Sequence, residues 1–413
     1  MYLGPALPRW QPQTVEDVQT AIDDGTLKER HWLDAKAELG TSEGAKKNFA
    51  KDLASFANDG GALLIGVRED EASQFTVAPV LLDGLSERVD QIARARCDPP
   101  LYVVCHPLET LAHDDGEARG VLLVEIPPSP SAPIMVDHRY YGRGDTTNHH
   151  LTDGEVARLH AMRTMRQATA EQIIDAEIAR DPVPASARRL GHLYVVAQPL
   201  ASPQDLLTSM IGKPTLQSMV DEVPRHFPPG VDGPEKWRNL STSEPRAEGH
   251  GFRSYGLSGR QFVSDLQNEK EENLLDVEVQ DNGRITLFGV PPTHSEDEKR
   301  YVFEAGIVAL TRALVTLAGH LGSSAGYGGR WLLAVGADDL HGKLSGTALH
   351  DPSGRLTHPQ FSAATYVKGT EAVTVELLTQ PGTVTQRLVG RLLRALGSGQ
   401  FPRHKQLLTD TGP

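Results

Sequence analysis

Cysteine is nearly absent from this sequence: Cys97 and Cys105 are the only two in 413 residues. Two cysteines cannot build a disulfide framework or a four-cysteine zinc site, so a reduced, cytoplasmic protein without zinc is expected. Positive charge is also in short supply. Forty-one lysines and arginines face 54 acidic residues, for a formal net charge of −13. Proteins that grip phosphate backbones usually carry the opposite excess. No run of about 18 apolar residues is present, so no membrane span is expected. The segment Met1–Trp10 carries Pro5 and Pro8 and no basic-then-apolar pattern, so secretion is not expected. No G-x-x-x-x-G-K-[S/T] loop occurs, which argues against ATP as a ligand. A chain with 23% charged and 39% hydrophobic residues is neither a disordered chain nor a coiled coil nor a fibre. Its length suggests two domains at roughly 150 residues or more each.

The pattern of residues divides the chain near Asp181-Pro-Val-Pro184. The expected domains are 1–180 and 185–413, the latter an independent α+β domain of unassigned role. Thr14 with Asp17 reads as a capping box for a first helix. His31–Glu38 reads as a strand. Gly44–Asn58 reads as a helix whose Phe49, Leu53 and Phe56 fall on one face, with Lys46, Lys47 and Lys51 largely on the other. Asn58-Asp-Gly-Gly61 ends it, and Ala62–Val67 is a continuous apolar strand, expected to be buried on both faces. A helix over Leu85–Cys97 follows, then strands over Leu101–Cys105, Val121–Ile126 and Arg139–Tyr141. A capped helix opens at Thr152 and is expected to continue to about Arg180. In the second half, strands are expected at Leu193–Val196, Leu275–Val279, Arg284–Val290, Trp331–Val335 and Ala372–Leu378. Asp281-Asn-Gly283 is a hairpin signal. Helices are expected around Pro203–Ile211, over Tyr301–His320 and over Val384–Leu396.

The spacing of carboxylates between Glu29 and Asp70 is the most informative feature. Glu29 and Asp34 lie five apart at the mouth of one strand, and Glu69-Asp70 follow the end of the next. If the two strands are neighbours, these groups converge at one end of a sheet, where they would need a cation to stay ionised. Hard cations such as Mg²⁺ or Mn²⁺ suit oxygen ligands and can activate water beside a phosphodiester. From spacing alone, solvated surface carboxylates remain the competing explanation.

Several segments together resemble the Schlafen AlbA-type domain family. Glu29-Arg-His-Trp-Leu-Asp34-Ala-Lys36 resembles its Glu-x4-Glu-Phe-Lys motif, with Ala35 in place of the phenylalanine. Ala54-Ser-Phe-Ala-Asn-Asp-Gly-Gly-Ala-Leu-Leu-Ile-Gly-Val67 resembles its most characteristic segment. Arg119–Pro128 and Tyr140-Tyr-Gly-Arg-Gly-Asp-Thr-Thr147 resemble its later strand and its closing Tyr-x-Arg-x-Gly segment. The resemblance covers about residues 10–165. It implies a mixed α/β N-terminal domain, and with the second half an α+β fold overall. Such domains are described as DNA-binding modules, as divergent ATP-binding domains and, in Schlafen proteins, as metal-dependent endonucleases that cut tRNA or rRNA.

By column, the nuclease carboxylates fall on Glu29, Asp34 and Glu69, with Asp70 one position further on. These four are the candidate catalytic residues, and the first three are the candidate metal ligands. The resemblance also marks Arg143. With Lys36, Lys46, Lys47 and Tyr141 it makes the candidate nucleic-acid-binding set. Over residues 1–166, 17 basic residues face 26 acidic ones, a net of −9. A phosphate-binding surface must then be local, made by a dimer, or assisted by cations. The expected function is RNA or DNA binding, with metal-dependent endoribonuclease activity as its catalytic form. A non-catalytic DNA-binding regulator and a protein-interaction module remain the alternatives.

Overall fold

In the computed structural model the described residues are 10, 12–27, 31–70, 74–109, 117–144, 146–166, 169–184, 186–202, 205–231, 233–240, 242–263, 271–290, 293–296, 299–347 and 359–410. Glu29 lies outside them, as do Asp145 and Pro203. The chain forms two compact units.

The first unit holds Met1–Gln167 with Leu200–Pro203 and Ala325–Gly329. Helix α1 (Val15–Asp23) opens on the expected capping box, Thr14 Oγ1 accepting from the Asp17 N–H and Asp17 accepting from the Thr14 N–H. Strand β1 (Leu33–Lys36) precedes α2 (Glu43–Phe56), which is capped by the Ser42 hydroxyl. Then come β2 (Gly61–Ile65), a hairpin of β3 (Val67–Glu69) and β4 (Phe75–Val77), β5 (Val80–Leu81) and α3 (Leu85–Arg96). Strands β6 (Val104–Glu109) and β7 (Arg119–Ile126) follow. A small sheet of β8 (Met135–Val136), β9 (Arg139–Arg143) and β10 (Asn148–His150) leads into α4 (Asp153–Arg166).

In the main sheet β1 runs parallel to β2, β2 antiparallel to β7, and β7 also pairs with β6 and β5. Alternation along β2 and β7 divides their side chains between two cores. Leu63, Ile65, Leu122 and Val124 join α2 and α3 on one side. Ala62, Leu64, Val121 and Leu123 join α1 and the β3–β4 hairpin on the other. That double burial is why the sequence here is apolar without a break. The expected single strand Ala62–Val67 nevertheless stops at Ile65. Gly66 has φ +100°, and a Cβ there would come within 2.8 Å of the Gly120 carbonyl oxygen. The chain turns at this glycine, so Val67–Glu69 pairs with Phe75–Val77 instead of lengthening β2.

The helix expected to run from Thr152 towards Arg180 is two helices. Thr152 and Glu155 cap α4 as expected. Thr169 then opens α5 (Ala170–Ala179) with a second capping box to Gln172, a signal in the sequence as strong as the first.

The second unit holds Ala168–Pro199, Gln204–Ser324 and Arg330–Pro413, and therefore includes α5. After α5 come β11 (Leu193–Pro199), α6 (Pro214–Glu222), β12 (Thr242–Arg246), β13 (Gly249–Arg253), the short pair β14 (Leu257–Ser258) and β15 (Gln261–Phe262), β16 (Leu275–Gln280) and β17 (Ile285–Gly289). Next are β18 (Thr293–Glu296), β19 (Lys299–Val302), α7 (Glu304–Ser324), β20 (Arg330–Ala337), β21 (Leu344–Ser345), β22 (Tyr366–Val373), α8 (Thr374–Thr379), α9 (Pro381–Ala395) and α10 (Pro402–Leu407). Seven strands form one antiparallel sheet in the order β12-β13-β16-β17-β11-β20-β22. The β16–β17 hairpin turns where Asp281-Asn-Gly283 was expected to turn it, with Gly283 at φ +91°.

Three expectations fail here. Residues 205–212 are turns rather than a helix. Tyr301 belongs to β19, so the long helix starts at Glu304. The strand expected over Ala372–Leu378 ends at Val373, because Glu376 accepts the Val373 N–H and starts α8. Helix α7 has the length and composition to cross a bilayer, with a mean hydropathy of 1.4 over an 18-residue window, although Arg312 interrupts its apolar run. The window is 83% buried inside the unit. A helix surrounded by core needs to be apolar on all sides. Both units combine helices with largely antiparallel sheets, and the fold is α+β.

Candidate nucleic-acid interface

Strand alternation sends Leu33 and Ala35 of β1 into the α1-side core, and Asp34 and Lys36 to the opposite face, towards α2. There the helical repeat of α2 presents a second acid. Asp52 lies on the same stripe as Phe49, Leu53 and Phe56 and is buried with them. Lys36 joins the two carboxylates: its Nζ lies 2.8 Å from Asp52 Oδ2 and 3.4 Å from Asp34 Oδ2. Asn148 on β10 donates to Asp52 Oδ1 at 2.6 Å. The Ala35 N–H donates to Asp34 Oδ1 at 2.8 Å, and Arg143 Nη1 stands 3.7 Å from Asp34 Oδ2. Arg143 is itself fixed by donation to the Leu33 carbonyl at 3.1 Å and by stacking 4.3 Å above the Phe56 ring.

The cluster thus holds two carboxylates and two cations in balance. Its titration behaviour follows from burial. Desolvation pushes the Asp52 carboxyl above its ordinary range, with the Asp34 charge adding to the rise and Lys36 only partly offsetting it. Burial works to lower Lys36, but the charges of Asp52 and Asp34 outweigh it and hold the ammonium above its usual value. Lys36 is the most open member, its side chain 30% exposed against 12% for Asp34 and 10% for Asp52. Nearby, a hydrogen bond from the His31 ring to the Asp59 carboxylate raises the pKa of His31, whose other ring nitrogen faces the Gly144 carbonyl.

The other candidates are placed differently. Glu69 does not share a face with Asp34. It is two residues on from Val67 and paired with Phe75, and both of those side chains belong to the α1-side core. Asp70 closes the β3–β4 hairpin, exchanging hydrogen bonds with Gln74. Arg143, expected to face a phosphate, is instead buried to 2% side-chain exposure, because β9 turns it inward onto Asp34 and Phe56. Tyr141 is likewise buried, beneath α2 with its ring against His150, and offers no open stacking face. Lys46 pairs with Glu43 at 2.9 Å and Lys47 with Asp137 at 2.5 Å, so both are partly neutralised.

More open groups surround the cluster. Lys51 lies 5.7 Å from the Tyr141 ring and donates to Asn48, and among the described residues no carboxylate pairs with it. Arg139, His149 and His150 are exposed on β9 and β10. Burial pushes the Cys97 and Cys105 thiols up to about 12 and about 11, so neither is a thiolate near neutral pH.

Asp52 and Asn148 were missed in the sequence. The signal for Asp52 was present: a carboxylate three residues after Phe49 and four before Phe56, inside an otherwise apolar stripe. For Asn148 no local pattern marks the contact.

A Schlafen-type metal centre needs three converging carboxylates. Among the described residues no group of three His, Cys, Asp or Glu side chains could hold a metal ion. Asp34 and Asp52 meet, but an ammonium already stands between them, and Glu69 faces the other core. The described residues therefore do not fit that centre.

Comparison with known proteins gives three results. No curated protein matches this sequence. The crystal structure of the DIP2311 protein from Corynebacterium diphtheriae is similar at 15% identity and a TM-score of 0.23, over 78% of this chain. This chain covers 65% of that one, and a likeness at this level supports no statement about fold or function. The family model "Schlafen, AlbA_2" matches residues 29–152, which span the β1–α2–β2 core, the cluster and β10. The first unit carries a Schlafen AlbA_2 domain, of a family generally associated with nucleic acid.

Proposed function

We propose that the first unit binds nucleic acid through the face made by β1, α2, β9 and β10, with Lys36, Lys51 and Arg139 as its phosphate contacts. The observation that carries this reading is the lysine held half-open between two nearly buried carboxylates. Buried ion clusters add little net stability compared with apolar packing. One placed at a face beside exposed cations and imidazoles is a candidate site with a physical rationale. In this reading Arg143 is a positioning residue that locks Asp34, and Asp34 and Asp52 in turn fix the Lys36 ammonium at the edge of this face. The exposed His149 and His150 rings provide stacking and hydrogen-bonding surface beside the cations. The net −9 of residues 1–166 implies weak binding that divalent cations assist, by offsetting repulsion between phosphates and the carboxylates.

The test is fluorescence anisotropy of the full chain with labelled tRNA and, separately, duplex DNA at low ionic strength. Binding is expected, weakening as salt rises and weakening further in Lys51→Gln and Arg139→Gln. Folded protein that binds neither ligand at low salt contradicts the proposal. The same samples with Mn²⁺ probe the catalytic alternative. Cleavage of tRNA or rRNA that disappears in Asp34→Ala would replace simple binding with a metal-dependent endoribonuclease.

A further inference from the structure

The second unit contains a cavity of about 390 Å³ between the segment at 233–236, the first turns of α7 and α10. That volume is at the lower end of the range for small-molecule sites, roughly 300–1,000 Å³. Its walls are mainly apolar, with Ala309 and Leu310 from α7, Leu407 from α10, and Phe303, which is 43% exposed despite its size. Three charged residues interrupt the apolar lining: the cations Lys236 and Arg403, and one acid, Glu235. Lys236 is drawn inward, its ammonium donating to the main-chain oxygens of Glu272 and Val290. Among the described residues those two acceptors use two of its three N–H bonds. Burial lowers its pKa to about 8, against the pull of Glu272 and Glu235, so the group is still mainly a cation at neutral pH.

An apolar pocket with a few convergent polar groups is the usual form of a ligand site, and the polar groups select the ligand's charge. Here they are an inward ammonium with a donor to spare, an exposed guanidinium on α10 and the exposed Glu235, which together leave an excess of one positive charge. We propose that this cavity binds a small organic anion with an apolar, ring-sized body, its acidic group on Lys236 and Arg403 and its body against Phe303, Ala309, Leu310 and Leu407. The site is independent of the nucleic-acid face, and its failure would leave that reading untouched.

Anilinonaphthalene sulfonate is a suitable probe, being an aromatic anion whose fluorescence rises in apolar surroundings. Titrated into the full chain, it should bind saturably at one site. Phenylnaphthylamine, the same kind of ring system without the sulfonate, should bind at least about tenfold more weakly, the scale of losing one charge-assisted hydrogen bond. Arg403→Gln, an exposed substitution that leaves the core intact, should weaken the sulfonate by a similar factor. Lys236→Met should do the same, and Ala309→Trp should abolish binding by filling the cavity. Circular dichroism confirms that each variant is folded. Absence of saturable binding to the folded wild type overturns the proposal. So does equal affinity for the charged and uncharged probes, or undiminished affinity in Arg403→Gln.

Discussion

Each unit buries a group of charges against its sheet, and the two groups are built on different plans. In the first unit one lysine serves two carboxylates, with Arg143 behind them. In the second, four arginines serve three carboxylates many times over. Arg246 grips Asp276 with both terminal nitrogens, at 2.6 and 2.9 Å. Glu278 takes contacts from Arg246, Arg260 and Arg180, and Glu177 from Arg180, Arg260 and Arg284. The chemistry follows the count. Burial works to raise Glu278, but a hydrogen bond from Gln280 and the surrounding arginines outweigh it and hold the acid below its usual range. Asp52, with one lysine, is pushed above its range. Asp276, the most deeply buried, also rises with desolvation despite Arg246. A redundant, closed network of this sort ties β12 and β16 to α5. The sparse cluster at β1 leaves its lysine partly open to solvent, which is what a contact site needs.

The largest expected effect tests the structural side of this contrast. Arg246→Met removes the fork on Asp276 and leaves a buried carboxylate short of a partner. It should cost about 3–5 kcal/mol, read as a lower urea midpoint for the second unit. A loss under about 1 kcal/mol would mean that the remaining arginines compensate fully. Lys36→Met should cost less, about 1–3 kcal/mol, because Arg143 and Asn148 still contact Asp34 and Asp52, and its main consequence should be on binding.

The smallest effect is a difference in sign with pH. Asp52 is raised in the folded protein, so the folded chain holds more protons than the unfolded one from the ordinary carboxyl value near 3.8 up to the folded value. Its contribution therefore falls as pH rises through that window. Glu278 is lowered, so its contribution is present above the ordinary value near 4.5 and is lost as pH falls through its folded value. Asp52→Asn and Glu278→Gln should change the acid limb of a stability–pH curve in opposite directions. Parallel changes would remove the contrast.

Much of the first unit was legible because its signals are local. The capping boxes at Thr14 and Thr152, the Phe49–Phe56 stripe and the double-buried β2 all follow from spacing. The candidate site was legible in its strand and not in its partners. Asp34 and Lys36 stand two apart on β1, so their shared face could be read directly. The inward turn of Arg143 and the approach of Asp52 depend on how β9 and α2 pack on that strand, which no local pattern encodes. An unbroken strand over Ala62–Val67 would place Glu69 at the same end of the sheet as Asp34. The positive φ of Gly66 separates β3 from β2, and the pairing of β3 with β4 sets Glu69 on the other face. In the second unit the hairpin at Asn282-Gly283 is visible, whereas the start of α8 reads as strand because Val373-Thr-Val375 has strand-like composition and the deciding cap is the later Glu376.

The most direct measurement is the salt dependence of tRNA affinity for wild type and Lys36→Met, both shown to be folded at the temperature used. A lysine that meets a phosphate at the β1–α2 face should, when removed, weaken binding and reduce the slope of log affinity against log salt by about 0.7–0.9. An unchanged slope and affinity would show that Lys36 does nothing more than neutralise Asp34 and Asp52, and would contradict the proposed interface.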